Sequence, residues 1–206
     1  LVQRTSAGNI SVIAENSAGT VIMQFATSGT PASAAGTYVI MSSWALGTQG
    51  TGRLYVNDVS NYAETTFSND TIDYTVTEYS VGATAGGASF FAGDMYVIWF
   101  SATTNLNFST ESMRRRFANS NNVPVDMGRN GEFADNGVAP ILFLAYDPYT
   151  SWPRNRGSAT SAFTVNGTPI GATTALLGQR FSHEEYGIPI TVTADYTVDD
   201  ADVTII

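Results

Sequence analysis

The chain contains no lysine and no cysteine, and it has a single histidine, His183. Its nine basic residues are all arginine: Arg4, Arg53, Arg114, Arg115, Arg116, Arg129, Arg154, Arg156 and Arg180. Without lysine there is no Schiff-base amine and no phosphate-loop lysine. Without cysteine there is no disulfide frame, thiolate metal site or thiol nucleophile. One histidine makes a histidine metal site or a Ser-His relay a poor expectation. Charged residues make up 13%, about half the usual share. Eighteen carboxylates against nine arginines give a net charge of −9, which is not the electrostatic footprint of a nucleic-acid binder. The apolar runs Tyr38–Met41, Met95–Phe100 and Ile141–Tyr146 are too short to span a bilayer, so neither nucleic acid nor membrane is an expected partner. The chain begins at Leu1, read as a trimmed or processed start or as numbering from an ordered start, with no secretory signal visible.

What is present is a strand pattern. Gly, Ser, Thr, Asn and Asp punctuate the chain roughly every 8 to 12 residues, the spacing of short strands in a sandwich or barrel. Candidate strands are Ile10–Ala14, Thr20–Ala26, Thr37–Leu46, Arg53–Asn57, Thr71–Tyr79, Met95–Ser101, Pro140–Tyr146, Ala162–Val165 and Ile188–Val198, with a last one through Val203–Ile206. Ile72, Tyr74 and Val76 alternate with Asp73, Thr75 and Thr77. Ile190, Val192, Ala194, Tyr196 and Val198 alternate with Thr191, Thr193, Asp195 and Thr197. Such alternation gives one buried and one wet face, the mark of antiparallel sheets. Helical signal is confined to one place. Ser109 or Thr110 can cap, Glu111 sits in the first turn and Arg114–Arg116 near the end, an order that complements a helix dipole over two or three turns. No internal repeat or linker interrupts the chain, so one β-rich domain over residues 1–206 is expected, with terminal segments 1–14 and 191–206 available for exchange with neighbouring subunits.

Residues 96–168 are the most specific part. In order they carry Arg115–Phe117, Pro124–Gly128, Asn130–Gly131, Pro140–Leu144, Asn155–Gly157 and Phe163–Val165. This succession resembles the concanavalin A-like (lectin/glucanase) jelly-roll domain of tailed-phage virion proteins, over about a third of the chain. The resemblance implies an all-β antiparallel sandwich, a jelly roll to which the residues themselves add the one short helix ending at the Arg114–Arg116 run. It departs after Asn155-Arg156-Gly157, where a glycine-rich continuation is replaced by Ser158-Ala159-Thr160.

Taken alone, these residues have local explanations. Asn155 and Gly157 tolerate the positive φ that a tight turn needs, and Arg156 between them could fork onto Asp126 or Asp147. Asp126 and Asp135 carry the oxygen ligands a calcium ion wants, but no spaced Asp-x-Asp loop accompanies them, and no metal or cofactor is expected.

Three functional readings compete. A glycosidase needs two carboxylates facing one bond, usually placed by alternation along a strand. No such run exists. Glu132 and Asp135 lie in a loop, Glu184-Glu185 flank His183 away from the motif region, and Asp199, Asp200 and Asp202 read as a solvated turn, so an enzyme is not expected. A lectin-like module would use Tyr146, Asp147, Tyr149, Trp152 and Asn155, where rings stack on sugar C–H faces and Asp and Asn meet hydroxyls, with a host-surface glycan as ligand. The third reading is a structural subunit on the exterior of a tailed phage, a decoration, cement or appendage protein of head, neck or tail. Its partners would be its own copies and other virion proteins. Interface cores deplete Lys and Glu and retain Arg and aromatics, which suits a lysine-free chain. A strand-donating subunit of a prokaryotic surface filament is a related alternative. Arg114, Arg115, Arg116, Arg154 and Arg156 are then expected as ordered structural or interface arginines, bonded to carboxylates or carbonyls. Asn-x-Ser/Thr sequons at Asn9, Asn69, Asn107 and Asn166 read as chance in a phage protein.

Overall fold

The computed structural model describes residues 2–4, 7–32, 36–48, 50–73, 81, 95–102, 104–145, 154–159 and 163. The expected single domain 1–206 therefore extends beyond the described residues, and so do the candidate strands Ile188–Val198 and Val203–Ile206 and the exchangeable segment 191–206. No helix among the described residues is long and apolar enough to cross a membrane.

The protein is all-β, built from antiparallel sheets with almost no helix. The first sheet has the order β1 (Val2–Arg4), β2 (Ile10–Glu15), β3 (Val21–Thr27), β7 (Tyr62–Phe67). Between β3 and β7 the chain leaves to build a second sheet, β4 (Ile40–Ser43), β5 (Arg53–Val56) and β6 (Val59–Ser60). Strands β8 (Val97–Phe100) and β9 (Leu142–Ala145) form a third pair.

Alternation decides which faces meet. Ile10, Val12 and Ala14 of β2 and Phe25 of β3 point inward and are at most 6% exposed. They pack with Leu54 and Val56 of β5, and with Trp44, Leu46 and Tyr62 at the margin. The intervening β5 residue, Tyr55, points the other way with its cross-strand partner Met41. That pair joins a second core with Leu106, Phe108, Phe117, Met127, Phe143 and Ala145. Leu54, Tyr55 and Val56 are all buried, so β5 is covered on both faces and separates two apolar layers. A strand covered on both faces reads as a continuous apolar run, and Leu-Tyr-Val is such a run.

Local chemistry sets the turns and irregularities. The β2–β3 connection closes on Asn16, whose Oδ1 accepts from the N–H groups of Ala18 (3.1 Å) and Thr20 (3.0 Å), with Gly19 supplying φ +73°. Ala14 pairs with Met23 but Glu15 with Val21, so Ile22 is an extra residue and both Ile22 and Met23 become buried. A second register shift leaves Thr65 extra on β7, between the Gln24–Thr66 and Phe25–Glu64 pairs. The two sheets are tied by Tyr62, which donates its hydroxyl to the Gly52 carbonyl.

Several expectations are corrected. Residues 71–73 are not strand, and the remainder of the expected Thr71–Tyr79 strand lies outside the described residues. The strand that completes the first sheet is β7, whose Tyr-Ala-Glu-Thr-Thr-Phe carries too few apolar residues to stand out. The helix α1 is a single turn, Glu111–Arg114, not two or three, and Thr110 at its N-cap makes no side-chain capping bond. Asn107 instead closes the turn that leads into it, its Oδ1 accepting from the Ser109 N–H (3.1 Å) and hydroxyl (2.6 Å). The chain leaves α1 at once because Phe117 and Ala118 must enter the second core, where Ala118 pairs with Pro124 and Phe117 accepts from the Val125 N–H. Apart from these corrections, the N-terminal segment supplies β1 and β2 to the first sheet, with Ile10 fully buried.

Leu54 is 1% exposed at the junction of the first sheet and β5. Leu54→Ala should cost about 3 kcal/mol of unfolding free energy in urea titration, through lost burial and a residual cavity.

Candidate functional site

The densest polar constellation is a clasp between α1 and the β5–β6 hairpin. Asn57 and Asp58 form the two-residue turn of that hairpin with φ of +48° and +66°, the I′ geometry that matches strand twist. Asn57 braces β4, accepting from the Val39 N–H at 2.8 Å and donating to the Thr37 carbonyl at 3.3 Å. Asp58 is thereby aimed at α1. Arg114 Nε donates to its Oδ1, and Arg115 Nη2 donates to its Oδ2 at 2.6 Å.

Arg114 is buried and its guanidinium is used on several sides. Nη1 donates to the Phe108 (2.6 Å) and Ser109 (3.2 Å) carbonyls, while Cζ lies 4.4 Å from the centroid of the Tyr55 ring. The planar fork meets a carboxylate, two carbonyls and a π face together, which a point-charge ammonium would not. Arg115 also bonds Glu111 one turn earlier at 2.8 Å, in the favourable acid-before-base order. Partial burial pushes the Asp58 carboxyl up. The hydrogen bonds and charges of Arg115 and Arg114 outweigh it and hold the group below the usual carboxylate range. Arg115 is correspondingly pushed up, chiefly by Asp58. At neutral pH the clasp holds an ionised carboxylate and two guanidiniums, a fastening between elements rather than a proton-transfer pair.

The other arginines differ. Arg116 Nη1 donates to Asn136 Oδ1 at 2.8 Å. Arg154 is exposed and Arg156 half-buried. Arg114, Arg115 and Arg116 each make in-chain side-chain bonds to carboxylate, carbonyl or amide oxygen.

Of the glycan candidates, Tyr146, Asp147, Tyr149 and Trp152 lie outside the described residues. Asn155 is described, and its amide is spent inside the chain. Oδ1 accepts from the Phe143 and Gly157 N–H groups, both at 2.9 Å, and Nδ2 donates to the Ile141 and Ala159 carbonyls. Four bonds saturate a primary amide and leave nothing for a sugar hydroxyl. Positive φ, expected at Asn155 and Gly157, is found at neither. Gly157 is required for another reason: a Cβ there would fall 2.6 Å from the Pro140 carbonyl oxygen and 2.7 Å from that of Ile141. The segment lies flat along residues 140–143, with Arg156 N–H bonding Phe143 O (2.9 Å) and Ser158 N–H bonding Pro140 O (2.7 Å).

Asp126 Oδ1 accepts the Gly128 N–H at 2.7 Å, closing a local turn. Asp135 is buried in a single 3-10 turn, Glu132–Asp135, and its Oδ2 has no hydrogen-bond partner. Among the described residues no three His, Asp or Glu side chains gather as a metal site would require. Glu132 folds back so that Oε2 accepts the Asn130 N–H at 2.7 Å. Glu184, Glu185, His183, Asp199, Asp200 and Asp202 lie outside the described residues.

Asp58 and Tyr55 did not stand out in the sequence as partners of the arginines. The available signal was Val56-Asn57-Asp58-Val59, a two-residue turn between β-branched neighbours that foretells an I′ hairpin. Comparison with protein-family models, curated proteins and solved structures finds no match.

Asp58→Asn should destabilise the fold by about 1–2 kcal/mol at neutral pH, the worth of a charge-assisted pair reduced for its partial exposure. The folded pKa of Asp58 lies below the unfolded value, so its contribution is present above about pH 4 and is lost as pH falls through the lower, folded value. Thermal melts should therefore converge for wild type and Asp58→Asn in acid and diverge at neutral pH. Gly157→Ala, meeting backbone rather than a movable side chain, should cost about 3 kcal/mol or prevent folding, read as a lowered urea midpoint.

Proposed function

We propose that the chain is a structural protein of a tailed bacteriophage virion, a decoration, cement or appendage subunit on the exterior of head, neck or tail, with the concanavalin A-like jelly roll as its topology. One observation carries the reading: the short motifs of the resemblance that lie among the described residues, from Arg115–Phe117 to Asn155–Gly157, pack against one another. Phe117 bonds the Pro124–Gly128 segment through Val125, and Gly131 accepts from Trp99 Nε1 at 2.9 Å. Asn155 and Gly157 are stitched to residues 140–143, whose Phe143 is fully buried. Residues whose side chains are consumed in holding a scaffold suit a protein that works by presenting surface. Partners are then further copies and neighbouring virion proteins.

Surface burial is favoured over N-terminal strand donation, because β1 and β2 are paired within the chain. A glycan-binding loop at residues 146–155 stays a secondary proposal resting on Tyr146, Asp147, Tyr149 and Trp152, since Asn155 is occupied. A map of the particle that carries the chain tests the main reading: density on the exterior in many symmetric copies is expected, and a chain absent from assembled particles overturns it. On a glycan array, binding that survives Trp152→Ala unchanged, or no binding at all, removes the lectin component.

A further inference from the structure

We propose that β1 is the dimerisation edge of this chain, pairing antiparallel about a two-fold axis with β1 of a second copy. The inference rests on the self-assembly reading above and gives it an address. No strand leaves its own sheet in this pairing.

Backbone direction decides which side of β1 is open. In an antiparallel ladder, successive residues turn their N–H and C=O groups to opposite sides. On β2 the Ile10 N–H turns toward β3, where it meets Thr27 Oγ1 at 3.1 Å. Ser11, the next residue, therefore turns toward β1, and its partner there is Gln3. Gln3 spends its backbone groups on β2, so Val2 and Arg4 turn theirs away from the sheet. Among the described residues no strand pairs with that outer edge. The opposite edge of the same sheet is different. Strand β7 carries Glu64 facing inward and an extra residue at Thr65, which discourage further pairing. Strand β1 holds no proline or carboxylate and pairs with β2 over three residues without a bulge. Its one charge is drawn off the edge, because Arg4 Nε donates to the Ala32 carbonyl at 2.9 Å and Nη2 donates to the same oxygen.

Self-complementarity selects the occupant. A two-fold axis at Gln3 sets Val2 opposite Arg4 of the second copy, and Arg4 opposite its Val2. Both positions turn N–H and C=O across the axis, so each pair exchanges backbone hydrogen bonds. Gln3 meets its own counterpart as a non-hydrogen-bonded pair, with Cα atoms about 4.5 Å apart. Gln3 is exposed, and its amide makes no bond among the described residues. Two primary amides, each donor and acceptor, satisfy one another at the axis. Val2 shares a face with Val12, its partner on β2, yet Val2 is 55% exposed and Val12 1%. The pairing lays Val2 on the aliphatic stem of Arg4 from the second copy. An identical strand thus brings an amide to the axis and an arginine stem to each Val2. The first sheets of the two copies become one continuous sheet, an isologous contact that closes as a dimer.

Sedimentation velocity of the full chain tests this, with circular dichroism checking that each variant is folded. A concentration-dependent dimer is expected for the wild type. Val2→Pro removes an outward N–H that β2 does not use, so the fold should hold and the dimer be lost. Gln3→Glu sets two carboxylates at the axis and should weaken the dimer about tenfold or more at neutral pH. The chain has no cysteine, so Gln3→Cys supplies a single thiol per copy. Thiols on Cα atoms about 4.5 Å apart suit a disulfide, and oxidation should lock this dimer. Arg4→Cys, two residues out of register with its own counterpart, should not lock. A folded Val2→Pro that dimerises like the wild type, or locking at Arg4→Cys and not at Gln3→Cys, overturns the β1 edge while leaving the structural reading intact. A wild type that stays monomeric alone, yet binds another virion protein, overturns the second copy as occupant. A wild type that neither self-associates nor binds any virion protein overturns both.

Discussion

Strand β5 is buried on both faces, and the fold is arranged around satisfying it. Leu54 and Val56 face the first sheet while Tyr55 faces the second core, so one short strand belongs to two apolar layers. The hairpin that follows is where those layers are fastened. Asp58 at its tip receives Arg114 of α1 and Arg115 at its C-cap, and the Arg114 guanidinium lies over the Tyr55 ring of β5. Hydrophobic burial sets the layers, and the clasp fixes how the segment from 106 to 118 lies over the hairpin.

The absence of lysine finds a physical counterpart here. Arg114 is buried because a planar guanidinium can meet a carboxylate, two carbonyls and an aromatic face at once. A buried ammonium would satisfy fewer partners in that geometry and suffer more from desolvation. Arg116 is likewise tied down, on Asn136, and Arg4 donates twice to the Ala32 carbonyl. These arginines work as cross-links between segments far apart in sequence.

Much of the β framework was legible in the sequence, since β4, β5, β8 and β9 fall inside expected strands and β2 and β3 run one residue past theirs. Strand β7 was not, because an edge strand with Glu64 facing inward and a bulge at Thr65 lacks the alternating apolar pattern. Those same two features discourage further pairing at a sheet edge. The helix was overestimated because its charge order suits a longer helix, while Phe117 and Ala118 are drawn into the core after one turn. Within the candidate site, the importance of Arg114 and Asn155 was visible, but not what they bond. Asp58 is 56 residues from Arg114, and no local rule pairs them. The role of Gly157 was visible only as freedom of φ, whereas the fold uses its missing side chain.

The route of the chain between β3 and β7 bears on how the molecule folds. The β3–β7 ladder joins Thr27 to Tyr62 and Met23 to Phe67, contacts distant in sequence, with the second sheet lying entirely between them. The hairpins β4–β5 and β5–β6 are local and can close early, shortening the span that β7 must bridge and lowering its loop-closure entropy. Formed first, they also offer Leu54 and Val56 as the surface on which β2 and β3 can collapse. The first sheet would then be the last to be completed, and β7 acts as its closing piece.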